Sequence, residues 1–106
     1  METAFQVEQD NENVKITLTG SLNASNAPAL SDELKKLVGK PLKKIIFFAQ
    51  NLEYISSAGL RVIIFAKQKI GTDTKIFFIG GQEEVLSVIK MSGLDNFMYI
   101  SETYED

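Results

Sequence analysis

Two adjacent serines, followed by an alanine and a glycine, interrupt an apolar part of the chain and are the residues best suited to chemistry. Ser56, Ser57, Ala58 and Gly59 lie between the apolar runs 45–49 and 62–66. A helix is expected to begin near Ala58, so Ser56 or Ser57 lies at its N-terminus and can accept a hydrogen bond from an unpaired N–H group, which would cap the helix. A serine at such a turn can also be a nucleophile or a site of modification. The residues alone leave both interpretations open.

The composition excludes nucleophilic catalysis by these serines. The chain contains no histidine and no cysteine, so no imidazole can take the proton of a serine and no histidine metal site can form. A nucleophile elbow would also need glycine two residues before Ser57, where Ile55 stands. We therefore expect no enzyme, no cofactor and no metal site.

The length and net charge of the chain limit the classes of function that remain. A chain of 106 residues with 44% hydrophobic and 24% charged residues predicts a single globular domain, residues 1–106. The net charge of -3 argues against a nucleic-acid partner, because such binding depends on neutralising phosphates. No apolar run approaches the ~20 residues that span a bilayer, and no secretory segment follows Met1. We expect a cytoplasmic protein without membrane insertion, and a monomer.

The start of the chain predicts a hairpin and a helix. Residues 5–8 and 14–19 alternate apolar with polar around the polar turn 9–13, as antiparallel strands do, and Gly20 is expected to end the second strand. Asn26 or Ser25 then supplies a cap before Pro28. Apolar residues follow at helical spacing as far as Val38.

The rest of the chain alternates strands with helices. We predict a central strand at 45–49, followed by a loop, a helix at 60–70 ended by Gly71, a strand at 75–79, a helix at 83–91 and a short edge strand at 97–100. After the hairpin the order is α-β-α-β-α. The fold class is therefore α/β, with one mixed sheet of about five strands and helices packed against it.

The serine segment carries a resemblance to a known family. The stretch YISSAGLRVI, together with LTGSLNASNAPAL upstream and MSGLDNFMYI near the end, resembles the STAS domain of bacterial anti-sigma factor antagonists. The resemblance covers nearly the whole chain. It implies the STAS fold and a role in signal transduction and transcription regulation through binding rather than catalysis.

The resemblance also implies a phosphorylation cycle. In the family, the serine two residues before the Gly-Leu pair is phosphorylated, and that position is Ser57 here. The unphosphorylated antagonist binds a serine kinase of GHKL type that is also the anti-sigma factor, and phosphorylation ends the binding. A PP2C-type phosphatase restores the unmodified form. The implied partner-binding residues are those around this serine, namely Asn23, Asn51, Ser56, Ser57, Ala58, Gly59 and Arg61.

At three of these positions the residue type differs from that of many family members. Many members have aspartate where Asn23, Asn51 and Ser56 stand here, so the surroundings of Ser57 are less acidic. Arg61, one helical turn onward, could pair with a phosphate. Both asparagines are expected on loops near Ser57. The alternative hypothesis is a STAS module that binds a partner without phosphorylation, as a subunit of a lipid or ion transport system.

Overall fold

The computed structural model describes residues 5–70 and 74–104 and begins with the predicted hairpin. Strands β1 (Phe5–Asp10) and β2 (Asn13–Leu22) are antiparallel. Asn11, in the turn, has a φ of 58°, a left-handed conformation that asparagine tolerates better than most residues. The predicted end of the second strand at Gly20 is wrong. Gly20 has a φ of 72° and lies within β2, where the pairing with the next strand shifts register.

The first helix, α1 (Ala27–Lys35), begins at the predicted place but ends early. Pro28 lies in its first turn, where a missing N–H costs nothing. Leu37 is buried beyond the end of the helix, in a turn, whereas Val38 is 46% exposed and does not belong to a helical face. Apolar spacing alone overestimated the helix by about one turn.

The central strand, β3 (Lys44–Ile55), is longer than predicted. It pairs in parallel with β2 on one side and with β4 (Lys75–Ile79) on the other. Pairing with β4 ends at Phe48, so the second half of β3 is paired with β2 alone within the described residues. The predicted loop after residue 49 is therefore strand as far as Ile55.

The remaining helices follow β3 and β4. Helix α2 (Ser57–Phe65) begins one residue before Ala58, near which its start was expected, and three residues before the predicted helical run 60–70. It continues into a π-helical turn at Ala66–Ile70, and the predicted stop at Gly71 lies outside the described residues. Strand β4 and helix α3 (Glu83–Met91) have the predicted bounds. A 3₁₀ turn at Leu94–Phe97 precedes β5 (Tyr99–Ser101), so Phe97 is not in the predicted edge strand.

The five strands form one sheet in the order β1-β2-β3-β4-β5, and only the β1–β2 pair is antiparallel. This confirms the predicted mixed sheet. All three helices contribute to one cluster of buried residues, together with alternate residues of the strands such as Ile16, Phe47 and Phe78. The helices therefore cover one face of the sheet. Among the described residues, no helix is long and apolar enough to cross a membrane.

Candidate functional site

The junction between β3 and α2 places the two serines in different roles. Ser56 is extended (φ -93°, ψ 176°) and occupies the N-cap position of α2, where its hydroxyl accepts a hydrogen bond from the Gly59 N–H at 3.4 Å. Its own N–H donates to the Leu22 carbonyl at 2.9 Å, which joins the start of α2 to the end of β2. Ser56 is half-buried. It is the capping serine.

Ser57 is the first residue of α2 and is exposed. Its hydroxyl makes no hydrogen bond to any other residue that the structure describes. The N–H groups of Ser57 and Ala58 belong to the first turn, where an α-helix leaves its donors without helical partners. No acidic residue lies in that turn. An added phosphate would meet free donors and the positive end of the helix dipole.

Gly59 allows close packing between α2 and the sheet, a role that the sequence motif does not indicate. It is buried, and a Cβ atom added there would lie 2.8 Å from Ile55 Cγ1 and 2.9 Å from both Leu22 Cγ and the Leu22 carbonyl oxygen. These distances are too short for any side chain. The small size of Gly59 therefore allows α2 to lie close to the ends of β2 and β3, whereas the half-buried Ala58 keeps part of its surface accessible.

Asn23 follows β2 in a turn and lies near the serines, as predicted. It directly follows Leu22, the residue whose carbonyl is bonded to Ser56. Its side-chain oxygen accepts from the Ser25 N–H at 2.9 Å. Asn26 closes the same turn, accepting from the Asn23 N–H at 2.8 Å and donating to the Ser21 carbonyl at 2.7 Å. Asn26 occupies the N-cap position of α1 but does not cap it, so the predicted side-chain cap is wrong.

Asn51 and Arg61 lie farther from the centre of the site. Asn51 is an exposed residue within β3, opposite Thr19, so its expected place on a loop is wrong. It precedes Ile55 by four residues, or about 13 Å at the rise of a strand. Arg61 is exposed on α2, one turn after Ser57. It makes no salt bridge within the described residues.

Metal binding or proton uptake at this site would require particular side chains around Ser57. The described residues contain no group of three or more histidine, cysteine, aspartate or glutamate side chains that could hold a metal ion. The exposed Ser57 hydroxyl has no neighbouring imidazole, because the chain has none. What the site offers is an accessible hydroxyl at a helix start that is fixed to β2.

Comparison with known proteins identifies the family. The family model described as STAS domain matches residues 4–106, and the chain therefore belongs to the STAS domain family. The candidate anti-sigma factor antagonist BtrV of Bordetella bronchiseptica is 32% identical over 89 residues, which cover 83% of this chain and 77% of that protein.

Solved structures show the same fold. An anti-sigma factor antagonist from Mycobacterium paratuberculosis superposes with a TM-score of 0.80 at 20% identity, over 93% of this chain and 85% of that one. The anti-sigma factor antagonist SpoIIAA matches in its unphosphorylated form with a TM-score of 0.74 at 16% identity, over 96% and 90% of the two chains. Its phosphorylated form, from Bacillus, matches with the same score at 20% identity, over 92% and 90%. The chain thus has the STAS fold found in anti-sigma factor antagonists.

Sequence reasoning missed the part that the end of β2 plays in the site. Leu22 is fully buried, accepts the hydrogen bond of Ser56 and limits the size of residue 59. Asn26 fixes the turn that follows. The signal available in the sequence was the pair of asparagines three residues apart, which is typical of side chains that bond to the backbone of a turn.

Proposed function

We propose that this chain is an anti-sigma factor antagonist whose binding is controlled by phosphorylation of Ser57. The unphosphorylated form binds a serine kinase of GHKL type that acts as the anti-sigma factor. Phosphorylation of Ser57 ends the binding, and a PP2C-type phosphatase restores it. The chain acts as a binding module, not as an enzyme.

The observation that carries this proposal is the difference between the two adjacent serines. Ser56 is half-buried and its hydroxyl caps α2, so a kinase would have to break the cap to modify it. The Ser57 hydroxyl is exposed and has no hydrogen-bond partner among the described residues. A protein substrate must present an accessible hydroxyl, and Ser57 is the more exposed residue of this pair.

Charge provides the physical basis of the switch. Phosphate adds about -1.5 to -2 charges at neutral pH. At the first residue of α2 this charge is favoured by the helix dipole, so the domain has no reason to unfold. A partner surface that fits a neutral hydroxyl must instead accommodate a bulky dianion. The fold of this chain matches the unphosphorylated and the phosphorylated form of SpoIIAA equally well, so phosphorylation of that protein is compatible with the same fold.

The test is phosphorylation by a candidate kinase with ATP, followed by intact mass spectrometry and binding measurements. We expect one phosphate on the wild-type chain and on Ser56→Ala, and none on Ser57→Ala. The matched serine variants separate the cap from the modified residue. The unmodified chain should bind the kinase and the phosphorylated chain should bind it measurably less. Phosphate that persists in Ser57→Ala would overturn the assignment.

A second outcome distinguishes the alternative function. A chain that binds its partner equally well whether or not it is phosphorylated would be an interaction module without a switch. In that case the transport-associated role would replace the partner-switching role. Calorimetric titration of the same partner with both forms decides between them.

A further inference from the structure

Among residues 5–70 and 74–104, the helices leave the second face of the sheet without a helical layer. On this face the side chains alternate with those of the core, and they include Ile46 and Phe48 of β3, Phe77 and Ile79 of β4, and Tyr99 of β5. We call these five residues, with Lys44, Lys75 and Tyr104, the helix-free face. Sheets whose strands are all parallel are almost always covered on both faces, and this sheet departs from that pattern only by its antiparallel edge strand β1. Four of the five strands here are joined in parallel.

The composition of the helix-free face is that of a covered surface. Ile46 and Ile79 are fully buried although no helix of the described residues packs over them. Aromatic rings contact one another on the same face: Phe77 stacks on Tyr99 with ring centroids 5.1 Å apart, and Tyr104 meets Phe77 edge-on at 5.4 Å. Tyr99 nevertheless remains 55% exposed. The face is partly closed by the segment after β5 and still presents aromatic surface to solvent.

The charge at one end of this face is positive. Lys44 and Lys75 are direct neighbours on β3 and β4, an arrangement of like charges that destabilises a sheet unless an anion lies nearby. Neither lysine makes a salt bridge within residues 5–70 and 74–104. The Lys44 ammonium group lies over the rings of Phe77 and Tyr104, at 5.7 and 5.6 Å from their centroids. The chain as a whole carries a net charge of -3, so the positive charge at this end of the face is opposite in sign to that of the whole chain.

We infer that the helix-free face is a docking surface for an acidic amphipathic helix of a partner protein. A helix would supply the missing layer over the parallel strands, with its apolar stripe on Phe48, Phe77 and Tyr99 and its carboxylates near Lys44 and Lys75. A second copy of this chain fits less well, because each copy would bring the same two lysines to the interface: Lys44, whose ammonium donates to the Tyr104 hydroxyl at 3.4 Å, and Lys75, neither of which makes a salt bridge within the described residues.

This surface is distinct from the serine site. Lys44 is the first residue of β3, and Ser57 follows the last, so the two regions lie at opposite ends of the longest strand. Binding at the helix-free face therefore does not require the phosphorylation cycle. The inference and the proposed function can fail independently.

The experiment uses the full chain and three synthetic helical peptides as probes. One peptide has a leucine stripe flanked by glutamates, the second has each glutamate replaced by lysine, and the third has the acidic composition with the stripe scrambled. Titrations are followed by calorimetry and by NMR shifts of the backbone amides. We expect binding of the acidic amphipathic peptide only, with shifts on β3, β4 and β5 around Phe77 and Tyr99.

Charge variants give the second measurement. Lys75→Glu changes an exposed side chain and should lower the affinity for the acidic peptide about ten-fold, since it replaces an attraction between charges by a repulsion. The matched control is Lys90→Glu, an exposed lysine on α3 that should leave the affinity unchanged. Both variants should keep the wild-type melting temperature within a few degrees.

Several results would overturn the inference. Absence of binding at millimolar peptide, equal binding of the basic or scrambled peptide, or shifts confined to the helical layer would each do so. Sedimentation that shows a dimer broken by Lys75→Glu would assign the face to a second copy. Binding to vesicles of anionic phosphatidylglycerol, without binding to the peptide, would assign it to a lipid surface.

Discussion

Gly59→Ala tests whether the close contact between α2 and β2 holds the serine site in place. The added Cβ would lie 2.9 Å from the Leu22 carbonyl oxygen, and that carbonyl is already bonded to the Ser56 N–H. It would also lie 2.9 Å from the fully buried Leu22 side chain and 2.8 Å from Ile55. Neither the carbonyl nor these packed side chains can withdraw without disturbing the junction.

The magnitude follows from two opposing terms. Overpacking a core costs about 1–3 kcal/mol, and contacts below 3 Å with backbone place this site near the upper end. Alanine is better than glycine in a helix by about 1 kcal/mol, which offsets part of the cost. We expect a net loss of about 2 kcal/mol in the free energy of unfolding, or roughly 10 °C in melting temperature for a domain of this size.

The assay is urea denaturation and a thermal melt, both followed by circular dichroism. Ala58→Gly, one residue earlier in the same turn, calibrates the helix-propensity term and should cost at most about 1 kcal/mol. If Gly59→Ala were as stable as the wild type or more stable, the contact with Leu22 would be looser than the structure shows. The reasoning about the fixed start of α2 would then be refuted.

Four further predictions concern the same region. Ser56→Ala should cost about 0.5–1 kcal/mol in urea denaturation, since its capping bond is long at 3.4 Å, and Ser57→Ala should stay within about 0.5 kcal/mol of the wild type. Asn26→Ala should cost about 1–3 kcal/mol, because the Asn23 N–H and the Ser21 carbonyl each lose a partner; a loss below that range would mean that water replaces both bonds. Ser57→Asp should melt cooperatively near the wild-type temperature yet bind the kinase more weakly, and equal calorimetric affinities would remove charge as the switch. Asn51→Asp, at an exposed strand position, should change the single-turnover rate of phosphorylation far more than the melting temperature.

The elements predicted most closely are those with a uniform pattern and clear ends. Strand β4 and helix α3 have the predicted bounds, because Gly80 and Gly93, both with positive φ, separate short segments of one consistent period. The mixed five-stranded sheet followed from the order of these elements. The local hydrophobic period and the glycines at the ends of these segments were enough to predict their bounds.

The junction between β3 and α2 could not be predicted from local pattern. In the second half of β3 the buried residues Leu52 and Ile55 are three apart, which does not fit the period of two of a regular strand. The pairing with β2 shifts register in this part, and each shift moves the alternation of side chains. The position of α2 therefore depends on the strand beside it, which a single segment of sequence does not contain.

The resemblance to the family identified the serine segment, but the distinction between its two serines required the structure. If α2 began one residue later, Ser57 would become the cap, and if it began one residue earlier, Ser56 would become the first helical residue. That start is fixed from outside the helix, by the Ser56 hydrogen bond to Leu22 and by the contact of Gly59 with the same residue.

This dependence on Leu22 has a consequence for the proposed switch. Because α2 is held at two points to the end of β2, the backbone of Ser57 keeps one position relative to the sheet. Phosphate added there changes the charge and volume at a fixed point and need not move the helix. In the proposed switch, we therefore expect the loss of affinity to arise in the partner's contacts with that point, rather than in a conformational change of this chain.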